Sequence, residues 1–266
     1  MSRLRAATAV LIATVAVLAG CGGGAPAAPA GAQVVRVAAA ADLKFALEEV
    51  AAVLAKADPP VRLQTTYGSS GTFFQQISNG APFDVFLSAD LSYPTRLAEA
   101  GRAAPDDVFA YAVGRLVVWV PNGSPVDVSK GLTALADPAV GKVAIANPEH
   151  APYGRAAVAA MRSAGVYDRV ESRLVLGENV AQAAEFAASG NAGASVIALS
   201  LALAPQLADR GRHEEVPLPS FPRLDQGGVV LAGTADRAAA VRLREFLTGE
   251  QGTAILKRYG FYLPGA

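Results

Sequence analysis

Short polar segments that follow apolar runs are the parts of this sequence best suited to bind an anion. Four stand at predicted strand-to-helix junctions: Ala41-Asp42, Gly68-Ser69-Ser70-Gly71, Pro152-Tyr153-Gly154 and Glu178-Asn179-Val180. The first turn of a helix leaves backbone N–H groups unpaired and carries roughly +0.5 of an elementary charge. In doubly wound folds such junctions meet at the carboxyl ends of the strands, where ligands bind. Together the segments predict an anion site, although any one alone is more typical of a helix cap or turn.

Residues that an enzyme or a transition-metal site would need are sparse. The patterns G-x-S-x-G, S-x-x-K, H-E-x-x-H and the phosphate loop are all absent from the sequence. His150 and His213 stand alone, and Cys21 is the single cysteine, so neither a metal site nor a thiolate nucleophile is expected. Asp84 and Asp90 bracket an apolar run and could form a glycosidase pair, with no other pattern in support. We therefore predict a binding protein without catalytic residues or a resident cofactor.

The N-terminus predicts an exported lipoprotein. In residues 1–20, Arg3 and Arg5 precede an apolar run too short to span a bilayer, and small residues lead into Cys21. This pattern is typical of a lipoprotein signal peptide, after whose removal the cysteine carries the lipid. An ordinary cleaved signal with a chance cysteine is the alternative. Residues 21–32 are rich in Gly, Ala and Pro and predict a flexible tether, so we expect an extracytoplasmic protein held at the membrane by its lipid.

The composition of the chain favours one large or two medium globular domains beginning near residue 33. Of its 266 residues 52% are hydrophobic and 17% are charged, which is enough apolar material for a substantial core. The formal net charge is zero and the arginines are spread singly, so nothing indicates nucleic-acid binding. After the N-terminal run, no apolar segment is long enough to span a membrane.

Valine-rich apolar runs alternate with helical patterns, which is typical of α/β proteins with mainly parallel sheets. Strands are predicted at residues 34–40, 61–67, 84–88, 115–120, 142–146, 173–176, 195–199 and 228–232. Helices are predicted at residues 43–57, 72–78, 93–100, 154–164, 181–189, 237–247 and 250–259. That many strand–helix units would supply two small sheets with a cleft between them.

At the four junctions the sequence resembles the molybdate-binding proteins of bacterial ABC transporters. The matching segments are VRVAAAADLKFALEEVA, TTYGSSGTFFQQISNGAPFDVFLSAD, IANPEHAPYGRAAV, LVLGENVAQAAEFAASG and ILKRYGFYLP, which together reach from residue 35 to residue 264. The resemblance implies the type II periplasmic binding protein fold, with two α/β lobes that close over a buried oxyanion. Lobe 1 would comprise residues 33–114 and 227–266, and lobe 2 residues 115–226. Crossing strands near residues 113–115 and 226–228 would form the hinge.

The resemblance also implies which residues bind. By position, the oxyanion ligands fall on Ala41, Asp42, Ser70, Tyr153 and the backbone N–H of Val180. A further tyrosine that part of the family uses would fall on an alanine here. The implied role is capture of molybdate, or of tungstate with its nearly equal size, by a monomer that delivers it to a membrane permease. Another tetrahedral oxyanion, such as phosphate or sulfate, is the alternative.

Asp42 departs from the family, whose members usually carry serine or asparagine at this place. An ionised carboxylate only accepts hydrogen bonds, and it would repel a dianion by roughly 4 kcal/mol per charge pair at 4 Å in an effective dielectric of 20. Three resolutions exist: the side chain turns away to cap its helix, the carboxyl is protonated, or the ligand carries a proton. We expect the helix cap, with the backbone N–H left to bind.

Overall fold

The structure is a computed structural model in which residues 33–265 are described. Two sheets with helices around them make up this part of the chain, as the α/β pattern predicts. The predicted signal peptide, the tether and Cys21 lie outside the described residues. Between residues 33 and 265 the chain contains no helix with the length and apolarity that a membrane crossing requires.

The elements of residues 33–265 are named in chain order. The strands are β1 (Gln33–Ala40), β2 (Val61–Gly68), β3 (Val85–Ser88), β4 (Val108–Gly114), β5 (Leu116–Pro121), β6 (Val143–Ala146), β7 (Leu174–Gly177), β8 (Ala194–Ala198), β9 (Gly211–Glu215) and β10 (Leu224–Val230). The helices are α1 (Lys44–Leu54), α2 (Ser70–Ser78), α3 (Ser92–Glu99), α4 (Pro152–Ser163), α5 (Tyr167–Val170), α6 (Val180–Ala188), α7 (Leu199–Ala202), α8 (Pro205–Ala208), α9 (Arg237–Thr248) and α10 (Glu250–Arg258). A 3-10 turn, Ala41–Leu43, joins β1 to α1.

Each sheet has five strands and mixes parallel with antiparallel pairs. The first runs in the order β2-β1-β3-β10-β4, and the second in the order β7-β6-β8-β5-β9. In the first, β1 pairs in parallel with β2 and β3, while β10 runs antiparallel to its neighbours. In the second, β6 pairs in parallel with β7 and β8. The carboxyl ends of the parallel strands therefore lead into the helices that carry the four polar junctions.

Buried apolar side chains cover both faces of the first sheet. Val35 and Val37 of β1 belong to one cluster and Ala38 to another, because successive strand residues point to opposite sides. The second sheet has a core that includes Trp119 and Ile145 and also reaches the alanines at the end of β1. Apolar packing is thus continuous from the second lobe to the edge of the first, close to the junctions.

The chain passes between the two sheets twice. Arg115 alone separates β4 of the first sheet from β5 of the second. On the return, the chain leaves the second sheet after Glu215 and joins the first at Leu224, so the predicted lobe boundary at residue 226 falls inside β10. The pairing of β10 with β4 shifts register between Gln226 and Gly227, which marks a β-bulge.

The C-terminal segment packs against the first crossing. The N–H of Val113 donates to the carbonyl of Tyr262 at 2.8 Å, and the N–H of Tyr262 donates back at 3.1 Å. The Arg115 guanidinium lies over the Tyr262 ring, 4.3 Å from its centroid, and forms an ion pair with Glu215. The first crossing is therefore tied to both the C-terminal segment and the second sheet.

The predicted strands and helices are all present, with shifted ends, but two strands and the three four-residue helices α5, α7 and α8 were missed. The missed strand β4 follows a Pro-Asp-Asp turn, and the missed strand β9 has the sequence GRHEE. β9 is polar and largely exposed because it lies at the edge of the second sheet, so it lacks the apolar pattern on which strand prediction depends.

Candidate functional site

Five predicted ligand residues line one cavity between the two lobes. They are Ala41, Asp42, Ser70, Tyr153 and Val180, and the cavity is small, with only about 10 Å³ open to the centre of a water-sized sphere. The first two come from the turn after β1, and the others from the first turns of α2, α4 and α6. Wider grooves occur elsewhere on the surface, but this cavity is set apart by the buried polar side chains that reach it from both lobes.

Three helix N-termini surround the cavity. Ser70 and Val180 are the first residues of α2 and α6, and Tyr153 is the second residue of α4 after Pro152. Backbone N–H groups at these positions have no partner inside their own helices. The Asn179 side chain caps α6 as predicted, since it accepts from the next two N–H groups after that of Val180 at 3.0 and 3.1 Å. These ends make the cavity locally positive without a cationic side chain.

The two serines at the start of α2 were expected to serve as a cap and turn, but their side chains form hydrogen bonds to other segments of the chain. Ser70 is buried, and its hydroxyl oxygen accepts from the N–H of Ala89 at 3.0 Å, which leaves its hydroxyl hydrogen available as a donor. Ser69 donates across the cleft to the carbonyl of His150, which also accepts from the N–H of Gly71 at 2.9 Å. Neither side chain caps the helix.

The predicted helix cap by Asp42 is wrong. The turn that contains Asp42 has no side-chain cap, and its carboxylate is instead held by partners far along the chain. Oδ2 accepts from the Gln226 amide at 2.6 Å and from the Tyr153 hydroxyl at 3.2 Å. The Gln226 amide also donates to the Tyr153 oxygen at 3.2 Å, and the Asp42 carbonyl accepts from the Ser200 hydroxyl at 2.7 Å. The carboxyl group is thus part of a buried network that joins both lobes.

Burial changes the acid–base properties of this network. Burial raises the pKa of Asp42 to about 6, against the opposing effect of the hydrogen bonds from Gln226 and Tyr153. Burial, followed by the nearby Asp42 charge, raises the pKa of the Tyr153 phenol well above its ordinary value, and the same causes act on the pKa of Tyr111. Both phenols therefore remain neutral near pH 7, while Asp42 can change its charge within an accessible pH range.

Two oxygens of the network lack partners. Oδ1 of Asp42 and Oε1 of Gln226 are buried and have no hydrogen-bond partner within residues 33–265. No ion pair with Asp42 is formed by any lysine, arginine or histidine of the same residues. Buried acceptors without donors are costly, so these oxygens point to a proton or donor that the protein side chains do not supply.

Sequence reasoning missed Gln226, Tyr111 and Ser200. In the sequence analysis, Gln226 is assigned only to the second crossing, although a glutamine in the apolar strand LDQGGVV is a usable signal of a buried polar role. Gly114, at the end of β4, is also part of the arrangement. A Cβ atom added there would lie 2.8 Å from the Gln226 amide nitrogen and would crowd the Tyr153 hydroxyl, so this close approach requires glycine.

Side chains on the rim of the cleft also bridge the lobes. Arg155 of α4 forms an ion pair with Asp90 at 2.9 Å and a hydrogen bond to the Tyr93 hydroxyl at 3.3 Å. Asp84 lies elsewhere, in an ion pair with Arg36 at 2.8 Å. Burial would raise the pKa of Asp84, but the Arg36 hydrogen bonds lower it to about 2. The two carboxylates of the glycosidase alternative are therefore each neutralised by a separate arginine.

The described residues contain no group of three or more His, Cys, Asp or Glu side chains placed to hold a metal ion. The chemistry that the cavity can perform is hydrogen-bond donation from backbone N–H groups and hydroxyls to a small, negatively charged ligand.

The family of bacterial extracellular solute-binding proteins matches this sequence over residues 35–262, almost all of its described part. The chain belongs to that family. This solute-binding protein is 41% identical over 195 residues to the molybdate-binding protein ModA of Rhodobacter capsulatus. The matched residues cover 73% of this chain and 75% of the relative. It is 29% identical over 230 residues to YvgL of Bacillus subtilis, described as an ABC transporter substrate-binding lipoprotein, with 85% of each chain covered.

Solved structures of known proteins agree with this assignment. The structure of the Azotobacter vinelandii periplasmic molybdate-binding protein superposes on this solute-binding protein with a TM-score of 0.80 at 33% identity, covering 86% of this chain and 99% of the other. The predicted two-lobed periplasmic binding protein fold is therefore confirmed.

Proposed function

We propose that this solute-binding protein captures molybdate outside the cytoplasm and delivers it to the permease of an ABC transporter. The observation that supports it most is the cavity where the first turns of three helices and the Ser70 hydroxyl converge. The molybdate-binding proteins among its relatives support the same ligand.

The donors around the cavity suit an anion that only accepts hydrogen bonds. Molybdate is fully deprotonated at neutral pH, so its four oxygens accept and never donate. Backbone N–H groups near Ala41, Ser70 and Val180, with the Ser70 hydroxyl, would serve these oxygens. Fixed neutral dipoles can stabilise a buried dianion without leaving an unpaired countercharge when the site is empty. Tyr153 has one hydroxyl hydrogen, which Asp42 accepts in this structure, so the phenol must release Asp42 to serve the anion.

Size and protonation would govern selectivity. Sulfate is deprotonated like molybdate but smaller, so donors spaced for molybdate would form longer and weaker hydrogen bonds to it, whereas tungstate, with nearly the size of molybdate, would bind in the same way. Phosphate is the second candidate, and the Asp42 carboxyl favours it, because phosphate keeps a proton near pH 7 that an ionised carboxylate could accept. The relatives named as molybdate-binding proteins weigh against phosphate.

Delivery would depend on closure of the two lobes. Ion pairs and hydrogen bonds already bridge the cleft through Arg155 and through the carbonyl of His150. Opening would break these contacts while the chain turns at the crossing next to Gly114, as in hinge-type binding proteins. We propose that the permease recognises the closed, loaded monomer.

Attachment to the membrane is a separate part of the proposal. The lipoprotein signal sequence before Cys21 supports removal of residues 1–20 and lipidation of the cysteine, and the relative YvgL is described as a lipoprotein. Residues 21–32 would then hold the folded part away from the bilayer surface.

Titration calorimetry tests the ligand. The protein, freed of bound anions, is titrated with molybdate, tungstate, sulfate and phosphate at matched ionic strength, and elemental analysis identifies any metal that copurifies. We expect tight binding of molybdate and tungstate and weak or undetectable binding of sulfate. A preference for phosphate or sulfate over molybdate would overturn the proposed function.

A further inference from the structure

One carboxyl oxygen of Asp42 has no hydrogen-bond partner among residues 33–265, although it is buried. Asp42 is 1% exposed and lines the cavity, and its Oδ2 already accepts from Gln226 and Tyr153. Its Oδ1 is buried with no partner among residues 33–265. An oxygen in that position either accepts a hydrogen bond from a ligand or carries a proton of its own and donates.

The groups that face Asp42 do not supply a positive charge. Tyr153 approaches from α4, Tyr111 interacts with it electrostatically from β4, Gln226 approaches from β10, and Ser200 of α7 binds its carbonyl. The titratable members of this set are two phenols that stay neutral. Lys44, two residues along the chain, places its ammonium 5.5 Å from the centroid of the Phe45 ring, and its side chain lines a groove outside the cavity.

We propose that the oxyanion binds together with one proton, which Asp42 takes up from solvent and uses to donate a hydrogen bond from Oδ1 to the anion. This inference rests on the proposed function and specifies how the charge of the cavity changes when the anion binds. The free protein carries an ionised carboxylate, one proton enters from water as the dianion enters, and the loaded cavity holds a neutral acid beside a dianion. No covalent bond to the anion is formed.

The surrounding hydrogen bonds agree with this arrangement. Oδ2 can keep the amide donation from Gln226 whether or not Oδ1 is protonated. A neutral acid is a weaker acceptor than a carboxylate, so protonation also loosens the hold of Asp42 on the Tyr153 hydroxyl and frees it for the anion. Burial raises the pKa of Asp42 to about 6 before any ligand is present, and a dianion next to it raises the pKa further.

Calorimetry in buffers with different ionisation enthalpies measures this proton directly. Near pH 7.5 the free carboxyl is almost fully ionised, so the observed heat of molybdate binding should vary with the buffer by about one proton per anion. Molybdate stays deprotonated between about pH 7 and about pH 8.5, and over that range its Kd should rise about tenfold per pH unit.

Two variants sharpen the test. Asp42→Asn offers an amide donor without titration, so its molybdate affinity should be independent of pH and its binding heat independent of the buffer. Asp168→Asn removes an exposed carboxylate from α5 and should keep the wild-type proton uptake. The buffer experiment on the unmodified protein decides the question even if the Asp42 variant folds poorly.

The outcomes separate the inference from the function on which it rests. Tight molybdate binding without proton uptake and without pH dependence would overturn the inference and leave the proposed function intact. Failure of molybdate to bind at any pH would overturn the function itself. Selective binding of phosphate, lost in Asp42→Asn, would mean that the carboxylate accepts a proton from the ligand, which contradicts both.

Discussion

Asp42 and Gln226 lie 184 positions apart in the chain, yet a buried hydrogen bond of 2.6 Å joins the carboxylate to the amide. The β-bulge beside this contact leaves Tyr111 of β4 without a partner in the pairing with β10, and β-bulges are common next to binding sites. Through this contact, the strand on which the chain returns to the first sheet takes part in the candidate site.

Replacing Ser70 with alanine should weaken molybdate binding. The variant removes a hydroxyl donor but keeps the N–H of residue 70, and a hydrogen bond to a charged group contributes roughly 1.5 to 3 kcal/mol, about tenfold to a hundredfold in Kd. Calorimetry measures the change. Ser78→Ala is the matched control in the same helix, since that hydroxyl donates to the carbonyl of Phe74. Equal affinities for the Ser70 variant and the control would mean that the site lies elsewhere.

Tyr153→Phe should also weaken molybdate binding by about tenfold to a hundredfold, because the phenol then cannot donate to the anion. The variant also removes a donor to Asp42, so the carboxyl pKa should rise above its wild-type value of about 6. Calorimetry and NMR titration of the carboxyl carbon test the two effects. Tyr167→Phe, which loses a partly exposed hydroxyl bonded to Glu171, serves as the control. A lower carboxyl pKa in the Tyr153 variant would contradict the geometry described.

Asp42→Asn should stabilise the ligand-free protein near pH 7. The folded pKa of Asp42 is about 6 and its ordinary value is 3.8, so the folded state binds the proton more tightly than the unfolded state. The contribution of Asp42 to stability is fully present below about pH 3.8 and is lost as pH rises through 6. By pH 7 the loss is on the order of 3 kcal/mol, which the asparagine avoids. Thermal melts should show a higher Tm for the variant than for the wild type at pH 7 and no such difference at pH 4. A lower Tm for the variant at pH 7 would refute the prediction.

Gly114→Ala should disturb the network without touching the anion directly. Its Cβ would crowd the Tyr153 hydroxyl and the Gln226 amide, so the two side chains must move apart or the lobes must remain more open. We expect weaker molybdate binding together with a lower Tm. Gly233→Ala is a suitable control, because a Cβ there meets no atom within 4 Å. An unchanged affinity in the Gly114 variant would show that the network tolerates rearrangement.

Cys21→Ser should release the protein from membranes and leave its molybdate affinity unchanged, because lipidation needs the thiol and the candidate site lies in the described residues. Cell fractionation and calorimetry measure the two effects. Retention of the variant in the membrane fraction would mean that an uncleaved signal segment, and not a lipid, holds the protein at the membrane.

The local parts of this structure were predictable from the sequence, whereas the long-range parts were not. The Asn179 cap depends on neighbouring residues and on known capping preferences, and the helices predicted from residues 72 and 154 begin only two residues earlier, at Ser70 and Pro152. The resemblance then placed these starts around one cavity. The environment of Asp42 was mispredicted because the partners of its carboxylate come from α4 and β10, whereas a capping rule considers only residues that are adjacent in sequence.

The ties around Tyr262 have a mechanical consequence for the opening of the cleft. They brace the first passage between the sheets, where Val113 and Arg115 are both held, while the second passage is an eight-residue span between β9 and β10 that includes three prolines. The first link is therefore a constrained hinge, and the second is a longer linker. The lobes should open by rotation about an axis near Arg115, so that the gap is widest at the end of the cleft farthest from Arg115, rather than by separating in parallel.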